Sequence, residues 1–409
     1  MFWLKFMRLK SCFSNQTNES AAVAELASKL GKANPSFIIC YYTEEYSAST
    51  LSKELSDKFH DSEIHGCSSF KGVMTDEGFH AGPVIAVLAF FDDSVLTSYG
   101  CALRQFPADH CTRHDIKTLT TQALNDAIKK ADRDGELPGL VILHSTFGHE
   151  EIIVEAIEER LGGSIKLIGG SAADNKIAKR WSIISNNQYS HSGVSISVFY
   201  PSSPSLTAFS SGHYPTEFNG IATRTIGRTL VEIDGKPANQ VYGDWVRQHL
   251  SKLVNDEEYL KVTALYPLGR IAGQVFDSPY YKLSHPLSVT PEGVPLFTNI
   301  ETGDRVHLMT GGEDQLIKRA ALVTQSAINA HPTDIDLFGG VNIFCAGSMG
   351  IIISKIDKVH QSLHQVYGRR PFICPFTYGE QGGFINGENA HGNLMLSSVI
   401  FYSKESEHE

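Results

Sequence analysis

The sequence predicts an α/β chain of α+β character: two domains built around mixed sheets from a repeated strand–helix–strand module. Three observations carry that prediction. The 409 residues exceed the length at which a single hydrophobic core stops growing. Apolar runs rich in β-branched and aromatic residues alternate with helical patterns. The order strand, helix, strand, Gly-rich end, strand then occurs three times, the signature of an internal repeat.

In the first copy, the β-rich residues 36–42 lead into a helical pattern over 48–59. A second strand ends in Gly66-Cys67-Ser68-Ser69, and residues 84–91 supply the last strand. In the second copy, residues 140–143 precede a helix over 150–161, residues 165–168 run into Gly169-Gly170-Ser171-Ala172, and 193–200 alternate as a strand. In the third, residues 341–345 lead to a helix over 350–367, residues 371–374 reach Tyr378-Gly379-Glu380-Gln381-Gly382-Gly383, and 393–402 form a strand. Between the second and third copies, 229–235 read as a strand and tight turn, and Pro237 opens a helix to about Leu253. Short strands then fill 262–309, and a helix spans 313–330. The expected division is an N-terminal extension (1–35), two domains (36–222 and 223–403) and a C-terminal tail (404–409).

Composition narrows the function. A formal net charge of −10 is the wrong sign for a chain that neutralises phosphates, which argues against nucleic acid as a partner. The longest apolar stretches, such as 83–91, are far short of the ~20 residues that cross a bilayer. Seven scattered cysteines without a CxxC pair point to reduced, mostly buried thiols. Residues 1–13 are apolar and basic, yet Lys5 and Arg8 interrupt them and no cleavage site follows, so a short terminal helix docked on the body is expected, in a cytoplasmic protein.

Each Gly-rich strand end, with Gly66 in the first copy and Gly170 in the second, lets a ligand approach the backbone where an open sheet exposes a crevice. The plain alternative is that these glycines only turn the chain. Other chemistry is weakly represented. His360 and His364 stand i,i+4 without HExxH, and His144 and His149 flank a strand-to-helix turn. Gly66-Cys67-Ser68 lacks the G-x-S-x-G elbow, and no P-loop or Gly-x-Gly-x-x-Gly follows a strand. One polar stretch stands out: Tyr378 and Glu380, followed by Asn389, His391 and Asn393, could converge on one rim. There Glu380 could accept from an ammonium or guanidinium group of a ligand, or it could cap a turn.

These residues resemble the FIST family of bacterial sensory modules, made of a FIST N and a FIST C domain. The resemblance lies in residues 64–69 with Gly72, 167–172 with Asp174, 230–238 with Val241 and Tyr242, 344–347 and 376–380. It implies a non-catalytic sensor that binds a small molecule, amino acids being among the proposed ligands, and signals to an output protein. No kinase, receiver or cyclase segment is recognised, so signalling in trans is expected. Free-standing FIST proteins of this kind resemble a branch that binds haem, senses nitric oxide and regulates a partner histidine kinase. Haem needs an axial imidazole in an apolar pocket. The candidates are His213, at a junction where relatives tend to carry another residue, and His285 before Pro286; Cys374-Pro375 has the form of a haem-responsive pair. An enzyme using Cys67 or Glu380 is the competing class. The oligomeric state is open.

Overall fold

The computed structural model describes residues 7–108, 111–248, 256–275, 277–331, 335–385 and 387–404. Three modules with one common order of elements make up most of the chain. The first runs from the edge strand Arg8–Ser14 through helix Glu19–Leu30, strand Phe37–Tyr42, helix Ala48–Lys58, strand Glu63–Ser68 and hairpin Gly72–Thr75/Gly78–Ala81 to the return strand Ile85–Phe91. The second repeats this with Ser98–Gln105, Arg113–Lys130, Leu140–Ser145, Glu150–Leu161, Leu167–Ser171, Ile183–Ser185/Gln188–Ser190 and Gly193–Tyr200. The third uses Ser205–Ser211, Glu313–Asn329, Ile335–Cys345, the helices Ala346–Ile352 and Ile356–Tyr367, Phe372–Thr377, Glu380–Gly383/Asn389–Gly392 and Met395–Lys404.

Each module builds a six-stranded sheet, but its hairpin pairs elsewhere. The second module's hairpin extends the first sheet, the third's extends the second, and the first's extends the third. Within each sheet the two inner strands are parallel, as the intervening helix requires, and the remaining pairs are antiparallel. The strand exits are tied in the same cyclic sense. Ala173 N–H donates to Ser68 O, Tyr378 N–H to Ser171 O and Phe70 N–H to Phe376 O, each at 2.9 Å.

Period-two alternation sorts the side chains. Phe37, Ile39 and Tyr41 face a central core shared by all three modules, while Ile38, Cys40 and Tyr42 face the first module's own helices. The same division holds in the second module, with Leu140 and Ile142 inward and Val141 and Leu143 under the helices. At the centre, Phe37 packs on Phe199 (centroids 4.6 Å apart) and Phe90 on Phe401 (5.1 Å), so the three modules meet through aromatic edges. Side-chain caps start the helices: Ser47 accepts from Thr50 N–H, and Thr112 and Asp115 form a capping box.

Residues 214–310 are an insertion between the third module's edge strand and its first helix. They form a fourth sheet, in the order Lys236–Pro237, Thr229–Ile233, Tyr214–Ile226, Arg305–Thr310, Leu268–Val275 and Ser278–Ser284, with helices Ala238–Arg247 and Asp256–Leu265. The boundary expected at residues 222 and 223 falls inside Tyr214–Ile226.

Several expectations change. Residues 1–35 are no appendage to the first module: they hold its edge strand and first helix. Where a terminal helix was expected, Arg8–Ser14 pairs antiparallel with Ile85–Phe91, and Met1 to Phe6 lie outside the described residues. The helix expected to run to Leu253 is described to Arg247, and residues 249–255 lie outside. Residues 262–265, expected in a strand, belong to Asp256–Leu265. The tail from 405 is also outside the described residues.

A chain beginning at residue 36 uncovers the Ile85–Phe91 edge and removes Ala22, Val23, Leu26 and Leu30 from the outer layer of the first sheet. Such a truncation is expected to lose cooperative unfolding in a circular-dichroism melt. A sharp transition within a few degrees of the full chain would show that segment to be dispensable.

Candidate functional site

The exits of the three modules open into a cavity of about 270 Å³. Phe70 and Lys71 follow the first module's second parallel strand, Asn175, Lys176 and Ile177 follow the second's, and Tyr378 follows the third's. Cys345, Ala346 and Gly347, which leave Ile335–Cys345, form a further wall. The insertion closes the remaining side with Leu260, Lys261, His285 and Phe297. The position obeys the general rule that open α/β sheets bind ligands beyond the carboxyl ends of their strands.

Local hydrogen bonds hold these loops. Asp174 accepts the N–H groups of Lys176 (3.1 Å), Ala178 (2.9 Å) and Arg180 (2.8 Å), and so shapes a loop in which Ile177 and Lys179 have φ of 55° and 60°. The Tyr378 hydroxyl lies against Asp174, 3.0 Å from its Oδ1, and accepts Ile177 N–H at 3.2 Å. Lys71 N–H donates to Asn175 Oδ1 at 2.7 Å, which joins the first exit to the second. Asn393 Oδ1 accepts His285 N–H at 3.2 Å. Gly379 has φ of 119°, and a Cβ there would stand 2.5 Å from His391 Cε1 and 2.9 Å from Asn393 Nδ2, so only glycine fits.

The insertion is fastened to the second module by a buried ion cluster. Arg228, in the turn before Thr229–Ile233, donates to Glu150 Oε2 (2.6 Å) and to Glu151, and its guanidinium lies 5.3 Å from the Phe147 ring centroid. Ser171 Oγ donates to Glu150 Oε1 at 2.8 Å. Arg228 and these hydrogen bonds hold the fully buried Glu150 carboxyl down at about 2, against the opposing effect of burial.

The walls are apolar, from Phe70, Ile177, Leu260, Phe297 and Ile353, while exposed Lys71, Lys176 and Lys261 stand at the rim. Among the described residues lining the cavity there is no Asp or Glu. The His285 ring stacks on Phe297, and its Nε2 lies 3.0 Å from Thr263 Oγ1 and 3.2 Å from Leu260 O. Burial holds this imidazole down at about 4, so it is neutral near pH 7.

Of the residues singled out in the sequence, Tyr378, Asn393 and His285 line this cavity. The others lie elsewhere. Gly66 sits inside Glu63–Ser68, where a Cβ would come within 1.7 Å of Cys40 O; Gly170 is packed against Thr377 and Ile343. Both glycines let strands and modules approach one another and do not line the cavity. Asn389 donates through Nδ2 to Glu158 Oε1 (3.1 Å) and Ile165 O (3.1 Å) and faces a different cavity. His391 is buried against Gln381 Nε2, 3.0 Å from its Nδ1. His213 Nε2 donates to Ala264 O at 2.8 Å, and this residue also lines a separate cavity. Cys374 is a core thiol whose Sγ faces Pro375 O at 3.8 Å.

Glu380 is fully buried behind the Cys345 wall. Its carboxyl accepts from Thr377 Oγ1 (3.0 Å) and Met395 N–H (3.1 Å), and the Cys345 thiol also hydrogen-bonds to it. Burial raises it well above the usual carboxylate range despite these donors, and behind Cys345 it does not line the cavity, so it is no anchor for a ligand cation. Cys345, unlike Glu380, reaches the cavity. Only its place in the stretch 344–347 marked it in the sequence.

No group of three or more His, Cys, Asp or Glu among the described residues is placed to hold a metal ion. His360 stacks on His364 and its Nε2 donates to Asp76 O at 3.0 Å. His144 donates through Nδ1 to Gly170 O (3.0 Å) and accepts the Tyr41 hydroxyl at Nε2 (3.0 Å), and His149 precedes the helix Glu150–Leu161.

Residues 36–236 match the family model of the FIST N domain and residues 238–383 that of the FIST C domain. No curated protein matches the sequence. Among solved structures, a cyanuric acid hydrolase from A. caulinodans aligns at 11% identity over 98% of this chain and 100% of its own, with a TM-score of 0.35. A second cyanuric acid hydrolase structure, described as an evolutionary innovation by structural concatenation, aligns at 10% identity over the same shares with the same TM-score. At that TM-score neither likeness bears on this chain's fold or activity.

Glu380 carries a pH-dependent expectation. In the unfolded chain a carboxyl of this kind ionises near its ordinary 4.5, whereas in the fold it keeps its proton well above that. Its contribution is therefore complete below about pH 4.5 and declines as pH rises toward the folded value, by about 1.4 kcal/mol per pH unit within the window. Urea unfolding at several pH values from 5 to 8 should show wild type losing stability relative to Glu380→Gln. A difference that stays constant over this range would mean that the carboxyl is ionised in the fold.

Proposed function

The chain belongs to the FIST family, as an N-terminal FIST domain followed by a C-terminal one, and from that premise we propose that it is a non-catalytic sensor of a compact, carboxylate-bearing metabolite of amino-acid type. FIST domains are signal-transduction sensor domains that bind small ligands. The observation that carries the reading is the apolar cavity where the exits of all three modules meet beneath the insertion. Its three rim lysines favour an anionic end, its apolar walls favour a hydrocarbon part, and Asn393 and neutral His285 offer hydrogen bonds that orient the ligand beside the Tyr378 ring. A ligand touching both the module exits and the insertion interacts differently with closed and loosened arrangements of the two, which is what a sensor needs. We assign the output to a signalling partner in trans, a histidine kinase or another protein, in the cytoplasm.

Two features support the absence of catalysis. Burial and neighbouring Glu380 raise the Cys345 thiol well above its ordinary value, and burial does the same to Cys67, so neither supplies a thiolate near pH 7. Glu380 is fully buried and does not line the cavity, so it is out of reach as a general base there.

The nitric-oxide reading requires haem. Of its candidate ligands only His285 reaches the cavity, since His213 and Cys374 are placed elsewhere. A cavity of about 270 Å³ falls below the ~300–1,000 Å³ of pockets that enclose drug-sized ligands. A porphyrin is larger than most of those, and the residues present do not fit it. A Soret band that moves with nitric oxide and disappears in His285→Ala would restore that reading.

Gly350 lines the cavity and a Cβ there meets nothing within 4 Å, so Gly350→Phe should plug the space without disturbing the fold. Thermal-shift measurements with the twenty amino acids and simple aliphatic carboxylates are expected to find a stabilising ligand, worth about 2.7 kcal/mol at a hundredfold excess over Kd. Gly350→Phe should abolish that shift and leave the melting temperature of the free protein unchanged. If no such compound stabilises wild type, or if the shift survives in Gly350→Phe, the reading fails.

A further inference from the structure

A second cavity, of about 440 Å³, lies at the opposite end of the strand Leu167–Ser171. Residues 164–166 enter that strand and line this cavity, whereas residues 175–177, beyond its exit, line the first. Its walls come from the third module's edge strand Ser205–Ser211, the helix Glu313–Asn329 and the hairpin Glu380–Gly383/Asn389–Gly392.

Its charges are unbalanced. Arg319 and Lys166 both line it, and among its described lining residues there is no Asp or Glu. Neither cation forms an ion pair among the described residues: Lys166 Nζ donates to Ser205 O at 2.6 Å, and Arg319 donates through Nη2 to Ser210 Oγ while its buried Nε has no partner there. Glu158, beyond Asn389, is engaged by the backbone N–H and Nδ2 of Asn389 (3.1 Å each). In a chain whose net charge is −10, two cations facing one cavity without a carboxylate, Arg319 half-buried and Lys166 at its exposed edge, stand out. Burial alone accounts for the direction in which both are perturbed, with Arg319 held down at about 10, as expected where no counter-ion compensates. Beside the cations, Phe209 packs edge-on against Phe384 at 5.0 Å and supplies an apolar floor.

We propose that this cavity is a second ligand site, which takes an organic anion whose oxyanion head, carboxylate or phosphate, pairs with Arg319 and Lys166 while its apolar body lies on Phe209 and Phe384. The Arg319 guanidinium carries the planar fork of N–H donors that meets a carboxylate or phosphate bidentately. Ser210, whose Oγ accepts from Arg319, adds a hydroxyl donor at the wall. The site is independent of the first cavity and of the sensory reading attached to it.

Calorimetric titration of the full chain with benzoate and with phenyl phosphate tests the proposal. Saturable binding of at least one is expected, and which one binds identifies the head group. Arg319→Met should weaken it at least tenfold and at the same time raise the melting temperature of the free protein, because a half-buried charge without a counter-ion is removed. Should that variant fail to fold, Lys166→Gln is expected to weaken the same binding several-fold. Gly350→Phe, which fills the other cavity, should leave the affinity unchanged. The proposal is overturned if neither probe binds, if binding persists in Arg319→Met or Lys166→Gln, or if Gly350→Phe abolishes it.

Discussion

Three backbone hydrogen bonds, from Ala173 to Ser68, from Tyr378 to Ser171 and from Phe70 to Phe376, govern the arrangement of everything else. Each module hands an N–H from its exit to the carbonyl of the neighbour, so two modules alone would leave a donor and an acceptor buried without partners. Only a third module closes the set. Closure brings three loops with no local sequence relation, at Phe70, Ile177 and Tyr378, to one spot with fixed spacing. The cavity is therefore largely formed before any ligand arrives, which lowers the ordering cost that binding must overcome.

The insertion completes that cavity, and Arg228 fixes where the insertion sits. A guanidinium shared by Glu150 and Glu151 is a geometrically strict contact, and leaving the fully buried Glu150 carboxylate without it would cost several kcal/mol. The same Glu150 accepts from Ser171, whose carbonyl takes the Tyr378 N–H. The clamp on the insertion and the closure of the modules thus share one strand end. Movement of the insertion and movement of the exits are mechanically linked through it.

Much of the architecture was legible in the sequence because the module strands are continuous apolar runs buried on both faces. Residues 140–143, 150–161 and 193–200 fall in the elements expected of them. The exchanged hairpins were not legible. Gly72–Thr75 and Ile183–Ser185 are three or four residues long and find their partners in another module, so nothing local announces them. Arg8–Ser14 was misread because residues 1–13 read locally only as an apolar, basic terminal stretch, while its pairing with Ile85–Phe91 is a long-range fact. At the site, Tyr378 and Asn393 could be named because polar residues cluster after a Gly-rich turn. Glu380, in the same cluster, is turned inward by Thr377 and the Met395 N–H, and spacing alone does not tell an inward carboxyl from an outward one. Lys261 carried no signal at all, since it lies in a helix that the sequence pattern did not reveal.

The exchange of hairpins also sets an order of events during synthesis. The first sheet lacks its last two strands until residues 183–190 have been made, and the second waits for residues 380–392, close to the end of the chain. The third sheet, conversely, recruits a hairpin made about three hundred residues earlier in the chain, which must stay unpaired until its partner strand Phe372–Thr377 emerges. The N-terminal half thus leaves the ribosome with open strand edges and an incomplete core for most of translation, a state prone to association with other chains. Final folding is postponed until the last module is released, and while it waits the nascent chain is a natural client for chaperones that shield strand edges.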